Sequence, residues 1–233
     1  MKIIKDIKLK IDKDEVLRYQ GYNKRKVIKP KKIILQIIEE EIERACNLYK
    51  PQGIYDSFKI KSMSFSKKRV DLENHFSFSF NNSVTDFLKG ADYLVLGVVT
   101  IGDILEDKIS EYFNRKEYPR GLALDTIGTV AVRYLSQYVI SIICRESKEK
   151  NLQTTKRFTP GTAEWDISEQ KYIFEMIPAY KIGVELTNSF MMTPQKSLSW
   201  AIGVGKNILR LSKDDNSCRI CQAIDCQYRQ IYK

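Results

Sequence analysis

At 233 residues, with 43% hydrophobic and 29% charged content, the chain holds enough apolar sequence for a packed core, so disorder is not the default reading. Its five cysteines, without a secretory leader, favour thiols or metal ligands over a disulfide framework, and its net charge of +10 points toward an acidic partner. The opening MKIIKDIKLK alternates Lys with Ile instead of forming a signal core, and no uncharged apolar run reaches the roughly 18 residues of a membrane span, so the chain is expected to be soluble, cytoplasmic and free of membrane.

The first 32 residues hold 12 Lys or Arg against four acids. These charges are interleaved with Ile, Leu and Val, as on solvated strand and helix faces, and not with exposed aromatics, so nucleic acid is a weak alternative partner. After this strand-like start, residues 31–49 place Ile34, Ile37, Ile38, Ile42, Ala45 and Leu48 at helical spacing, with Pro51 beyond. DSFKIKSMSF and HFSFSF alternate as half-buried strands, the second with Phe76, Phe78 and Phe80 on one side. ADYLVLGVVT reads as a buried strand, and Asp103 as the cap of the helix that follows. Residues 121–148 form one long helix whose apolar side carries Leu124, Ile127, Val130, Ala131, Tyr134, Leu135, Tyr138 and Ile142.

Near the end, GVELTNSFMMTP alternates, with Val184, Leu186, Asn188, Phe190 and Met192 opposite Glu185, Thr187, Ser189 and Met191. LSWAIGVG alternates again, setting Leu198, Trp200, Ile202 and Val204 opposite a face of Ser199, Ala201, Gly203 and Gly205 that admits either a ligand or a closely packed helix backbone. No repeat or linker divides the chain. The expectation is an α+β fold: a single domain over 1–233 with a mostly antiparallel twisted sheet packed with long helices, a basic N-terminal segment at 1–30 and a cysteine-containing tail at 206–233.

The lone His75 permits no His-based triad or His-rich metal site, and P-loop, GxGxxG and GxSxG motifs are absent. No catalytic residue is assigned; a domain that positions a reactive ligand is favoured over one that supplies acids and bases. The strongest local candidate for binding is KRFTPGTAEWDISEQ. Arg157 offers a planar fork to a carboxylate, the Pro160-Gly161 turn lets backbone approach a ligand, and Asp166 or Ser168 can cap the next helix. An ordinary loop with an exposed Arg is the alternative.

RFTPG, followed about 25 residues later by LTNSFMMTPQKSLSWAIGVG, resembles the activation domain of cobalamin-dependent methionine synthase. That family carries an Arg, two spacers and Pro-Gly-Tyr, then a Leu-Thr-Glu-Ser strand, a Pro and Ser-x-Ser. LRYQGY, VTIGDILE and LDTIGTVAV resemble blocks of the stand-alone relatives in anaerobic bacteria, so the likeness spans roughly residues 10 to 230. It implies the activation-domain fold and S-adenosylmethionine bound by Arg157, Pro160 and Gly161, with Thr162 standing where the family has Tyr. Thr129 stands where the family's long helix contributes an acid near the ligand, and Thr187 and Ser189 would line the site. The implied role is to reactivate a corrinoid methyltransferase, or another cobalamin-binding protein, by positioning the S-adenosylmethionine methyl for reductive methylation of cobalamin carried on that partner. A flavodoxin or ferredoxin would supply the electron. The alternative is a non-catalytic interaction module that docks on a corrinoid protein without S-adenosylmethionine.

The tail SCRICQAIDCQYRQ brings Cys218, Cys221 and Cys226 together, a spacing that suits Zn or an iron–sulfur cluster with a fourth ligand from Cys46, Cys144 or elsewhere; free thiols or a terminal disulfide are the alternatives. The stand-alone relatives often carry such a tail, and methionine synthase does not.

Overall fold

Thirteen consecutive extended residues and one apolar run set the architecture. A computed structural model describes residues 1–22, 29–80, 84–162 and 164–208. Strand β1 (Lys2–Ile4) and helices α1 (Lys13–Tyr19) and α2 (Lys32–Ala45) precede the long strand β2 (Gln52–Ser64), which continues into β3 (Arg69–Leu72) and β4 (Ser77–Ser79). A short helix α3 (Val84–Phe87) leads to β5 (Tyr93–Thr100), the helices α4 (Ile104–Asn114) and α5 (Tyr118–Glu149), and β6 (Gln153–Thr154). Helix α6 (Gln170–Met176), the short hairpin β7 (Glu185–Leu186) and β8 (Met192–Thr193), and β9 (Ser197–Gly205) complete the described chain.

The main sheet runs β4-β3-β2-β5-β9-β6 and every pairing is antiparallel. The length of β2 lets it serve twice: its first residues pair with β1, and beyond a bulge between Ile60 and Ser62 its last residues pair with β3. β5 lies between β2 and β9 and is buried from Leu94 onward, as its uninterrupted Val/Leu run requires of a strand covered on both faces.

One face of the sheet presents Val95, Val99, Trp200, Ile202 and Val204 to a helical layer of α1, α2, α4 and α5; the other presents Ile54, Leu94, Leu96, Val98 and Ala201 to β3, β4, α6 and the loops around Phe158 and Trp165. At Gly97 a Cβ would stand 2.3 Å from the Trp200 ring, so only Gly lets the indole lie across β5. Phe78 and Phe80 are buried on the second face, with Trp165 against both, while Phe76 packs from the edge.

Helix α5 has Pro119 in its first turn, where no backbone donor is lost, and starts three residues earlier than its apolar spacing suggests. It is apolar and long enough to cross a membrane by length and composition, but Leu124, Ile127, Ala131, Leu135, Val139 and Ile143 are buried against the sheet and neighbouring helices, which makes it a core helix. The expected inclusion of Tyr138 in the apolar side is corrected: Tyr138 is exposed and Val139 buried, because the buried stripe drifts around a helix of this length. Asp103 occupies the position before α4 without a side-chain capping bond. The small-residue face of β9 is covered by chain, since a Cβ on Gly203 would meet Leu88, Thr155 and Ala91, and one on Gly205 the Gly90 carbonyl.

Candidate functional site

The loop after β6 crosses back over β9. Phe158 pairs antiparallel with Ala201 and lies in the core of the second face. Alternation in extended chain therefore turns Arg157 to the opposite, helical face, where its Nη1 donates to the Ser136 hydroxyl of α5 at 2.9 Å. Ser136 is fully buried. The residue Arg157 as a whole is partly exposed, but its guanidinium lies in desolvated surroundings, and burial, followed by the nearby charge of Arg133, pushes its pKa down to about 10. Among the described residues no carboxylate lies within ion-pair distance of it.

The rest of the loop is closed on itself. Lys156 pairs with Glu164 at 2.9 Å and lies over the ring of Phe87. Gly161 has a φ of +84°, which suits Gly, and its N–H donates to the Trp165 carbonyl; the Thr162 hydroxyl donates to the Thr159 carbonyl. Pro160 is buried and Thr162 exposed. Asp166, rather than Ser168, is the cap, its carboxylate accepting from the Ser168 N–H at 2.8 Å.

Thr129 lies two turns before Ser136 on α5, about 10 Å along the axis. There Lys196, from the connection into β9, donates to Thr129 Oγ1 at 3.1 Å and to Asp125 Oδ1 at 2.7 Å. An acid is thus present one turn from Thr129, in contact with the same lysine. The segment GVELTNSFMMTP is a tight hairpin and not one strand: the Thr187 and Ser189 hydroxyls are 3.0 Å apart in its exposed turn, and Thr187 Oγ1 accepts from the Met191 N–H. Gln170 anchors the turn, donating to the Phe190 carbonyl and accepting from Ser199 of β9. Arg157, Thr129 and the Thr187–Ser189 pair thus form three groups that no hydrogen bond joins.

Ser136 and Arg133 escaped the sequence reading because only the crossing of Phe158 over Ala201 decides which turn of α5 faces Arg157. The sole signal was a polar pair, Arg133 and Ser136, within an apolar stretch of helix. Among the described residues no three His, Cys, Asp or Glu side chains gather for a metal; Cys46, just after α2, and Cys144, in α5, are free thiols, and Cys218, Cys221 and Cys226 lie outside the described residues. Two clefts, of about 390 and 450 Å³, lie elsewhere, one between β1 and the end of α5 and one beside Lys50 and Gly102.

Fold and site together define an α+β domain, antiparallel and helix-backed, with a desolvated arginine held between a returning loop and the central helix. This is the fold of an activation domain: a crystal structure of the MetH reactivation domain bound to AdoHcy superposes with a TM-score of 0.64, covering 90% of this chain and 80% of that one at 13% identity. No protein-family model and no curated protein sequence matches the chain.

Proposed function

We propose that this protein binds S-adenosylmethionine and positions its methyl group for transfer to the corrinoid of a cobalamin-dependent methyltransferase, returning an oxidised corrinoid to its methylated form. One electron from a reduced flavodoxin or ferredoxin brings the cobalt to its nucleophilic state; the cobalt–carbon bond then forms as the sulfur–methyl bond breaks, and S-adenosylhomocysteine leaves with the electron pair on sulfur. AdoHcy, the ligand of the structurally similar reactivation domain, is that product. The domain's own task is to bind and orient, which needs no general base.

The observation that carries this reading is the guanidinium of Arg157, desolvated and without a carboxylate partner among the described residues, in an activation-domain fold. Such a group fits the carboxylate of the ligand's amino-acid end, since a bidentate ion pair restores the solvation it lacks. Pro160, Gly161 and Thr162 would border the ligand, and Thr129, Thr187 and Ser189 are retained as proposed lining residues. The test is calorimetric titration with S-adenosylmethionine: Arg157→Ala should lose about 10- to 150-fold in affinity, the effect of removing one charge-assisted contact. Equal affinity in the two proteins would sink the assignment.

A second reading, an interaction module docked on a corrinoid protein without S-adenosylmethionine, is favoured by the closed turn, in which the Gly161 amide and Thr162 hydroxyl already have partners. Wild-type protein that gives no heat with the ligand while still binding the corrinoid partner would select it. The tail cysteines Cys218, Cys221 and Cys226 are proposed as ligands of Zn or an iron–sulfur cluster; anaerobic protein without stoichiometric Zn or Fe would remove that assignment.

A further inference from the structure

Arg157 is not the only guanidinium at this part of α5. Arg133 lies one helical turn before Ser136, so the two side chains leave the helix on neighbouring positions. The Arg133 guanidinium lies over the Tyr19 ring of α1, 5.3 Å from its centroid, and Tyr19 carries Arg18 against it as well, at 4.5 Å. Arg18 is neutralised by Glu15 at 2.7 Å. Among the described residues Arg133, like Arg157, makes no ion pair. Two like charges are therefore held together by three elements, α1, α5 and the loop crossing β9, with a neutral hydroxyl as the acceptor for Arg157. Mutual repulsion in partly desolvated surroundings opposes this arrangement. An anion placed between the two cations reverses the sign of that energy.

We propose that Arg133 is a second anion-holding residue of the Arg157 site, the two guanidiniums together taking the carboxylate of the ligand while Tyr19 fixes Arg133 by stacking. The inference rests on reading the site as one for S-adenosylmethionine. It predicts an unusual combination, since a residue that serves only the ligand is an electrostatic burden to the empty protein.

Arg133→Gln tests it, removing the charge and keeping a long polar side chain. Full-length wild-type and variant proteins would be titrated with S-adenosylmethionine and with methylthioadenosine, which retains the nucleoside and sulfur but has no carboxylate. Their ligand-free thermal midpoints would be compared at low salt. The expected result is about a 10-fold loss for S-adenosylmethionine, less than about a twofold change for methylthioadenosine, and a midpoint held or raised. Undiminished S-adenosylmethionine binding, an equal loss for both ligands, or a variant that unfolds or melts earlier would each overturn the role of Arg133; the last would show it to be structural. Wild-type protein that binds neither ligand would instead overturn the S-adenosylmethionine reading, and the role of Arg133 with it.

Discussion

Helix α5 carries two charged clusters of opposite character. At its first turn Arg120 donates to Glu41 at 2.5 Å and to Glu40 at 2.6 Å, while Glu41, fully buried, also accepts from Arg44 at 2.8 Å and from the Tyr112 hydroxyl at 3.0 Å. Arg44 bonds the same hydroxyl. Every charge there has an opposite, so the Arg120 side chain holds Glu40 below its usual pKa and the two glutamates hold Arg120 above its own. Beside the middle of the same helix, Arg133 and the loop residue Arg157 have no such partner among the described residues, and Arg157 is displaced in the opposite direction. The first cluster joins α2, α4 and α5 and is complete in the protein alone. The second has no opposite charge among the described residues, as expected of the anion site proposed for it and not of a brace.

The largest expected effect tests the brace. Glu41→Ala strands Arg120, Arg44 and the Tyr112 hydroxyl without their shared acceptor and should cost about 3 kcal/mol or more, a fall of roughly 6–12 °C in thermal midpoint for a chain of this size. S-adenosylmethionine affinity of the folded protein should be unchanged. A midpoint within a degree of wild type would erase the distinction between the clusters.

Arg157→Met should move stability the other way. The folded pKa of Arg157 lies below its ordinary value, so the cation destabilises the fold throughout the pH range below about 10 and ceases to do so only as pH rises through that value toward the unfolded pKa. At pH 7 the penalty is fully present, and an apolar side chain of similar length should raise ligand-free stability by about 1 kcal/mol while S-adenosylmethionine binding weakens as in Arg157→Ala. Chemical denaturation at pH 7 checks it, and a destabilised variant would place Arg157 with the brace.

A smaller change comes from Ser136→Ala, which removes the acceptor that aims the Arg157 fork. Affinity for S-adenosylmethionine should fall about fivefold, the worth of an ordinary hydrogen bond, with little change for methylthioadenosine. An equal effect on both ligands would mean that Ser136 acts on the fold and not on the fork. The smallest effect belongs to Lys196→Met: its pair with Asp125 is half open to water on the acid side, so the loss should stay within about 1 kcal/mol by urea unfolding. A larger loss would add a second brace to α5, around Thr129.

Much of the scaffold was legible before any coordinates. The periodicity of residues 31–49 gave α2, the run YLVLGVVT gave β5, and LSWAIGVG gave β9 with Trp200 and Ile202 correctly on one face, because a side chain's face follows from backbone period alone. GVELTNSFMMTP misled for a physical reason: its alternation is real, but Thr187 and Ser189 hydroxyls close a tight turn that breaks the strand into a hairpin. Arg157 could be singled out from its loop chemistry and its resemblance to a known motif.

The sequence by itself determined most of the elements, the face of the apolar residues in β5 and β9 and the α+β class, all of which depend on local geometry and burial. Only the tertiary structure decided that Arg157 meets Ser136 and lies near Arg133, that Thr129 belongs with Lys196, and that Glu41 is braced by arginines from two helices. These contacts join residues between 21 and 79 positions apart except within α2. Whether a charge is paired or left without an opposite depends on how the loop over β9 and the helices on the far side of the sheet converge, and no period in the chain encodes that convergence.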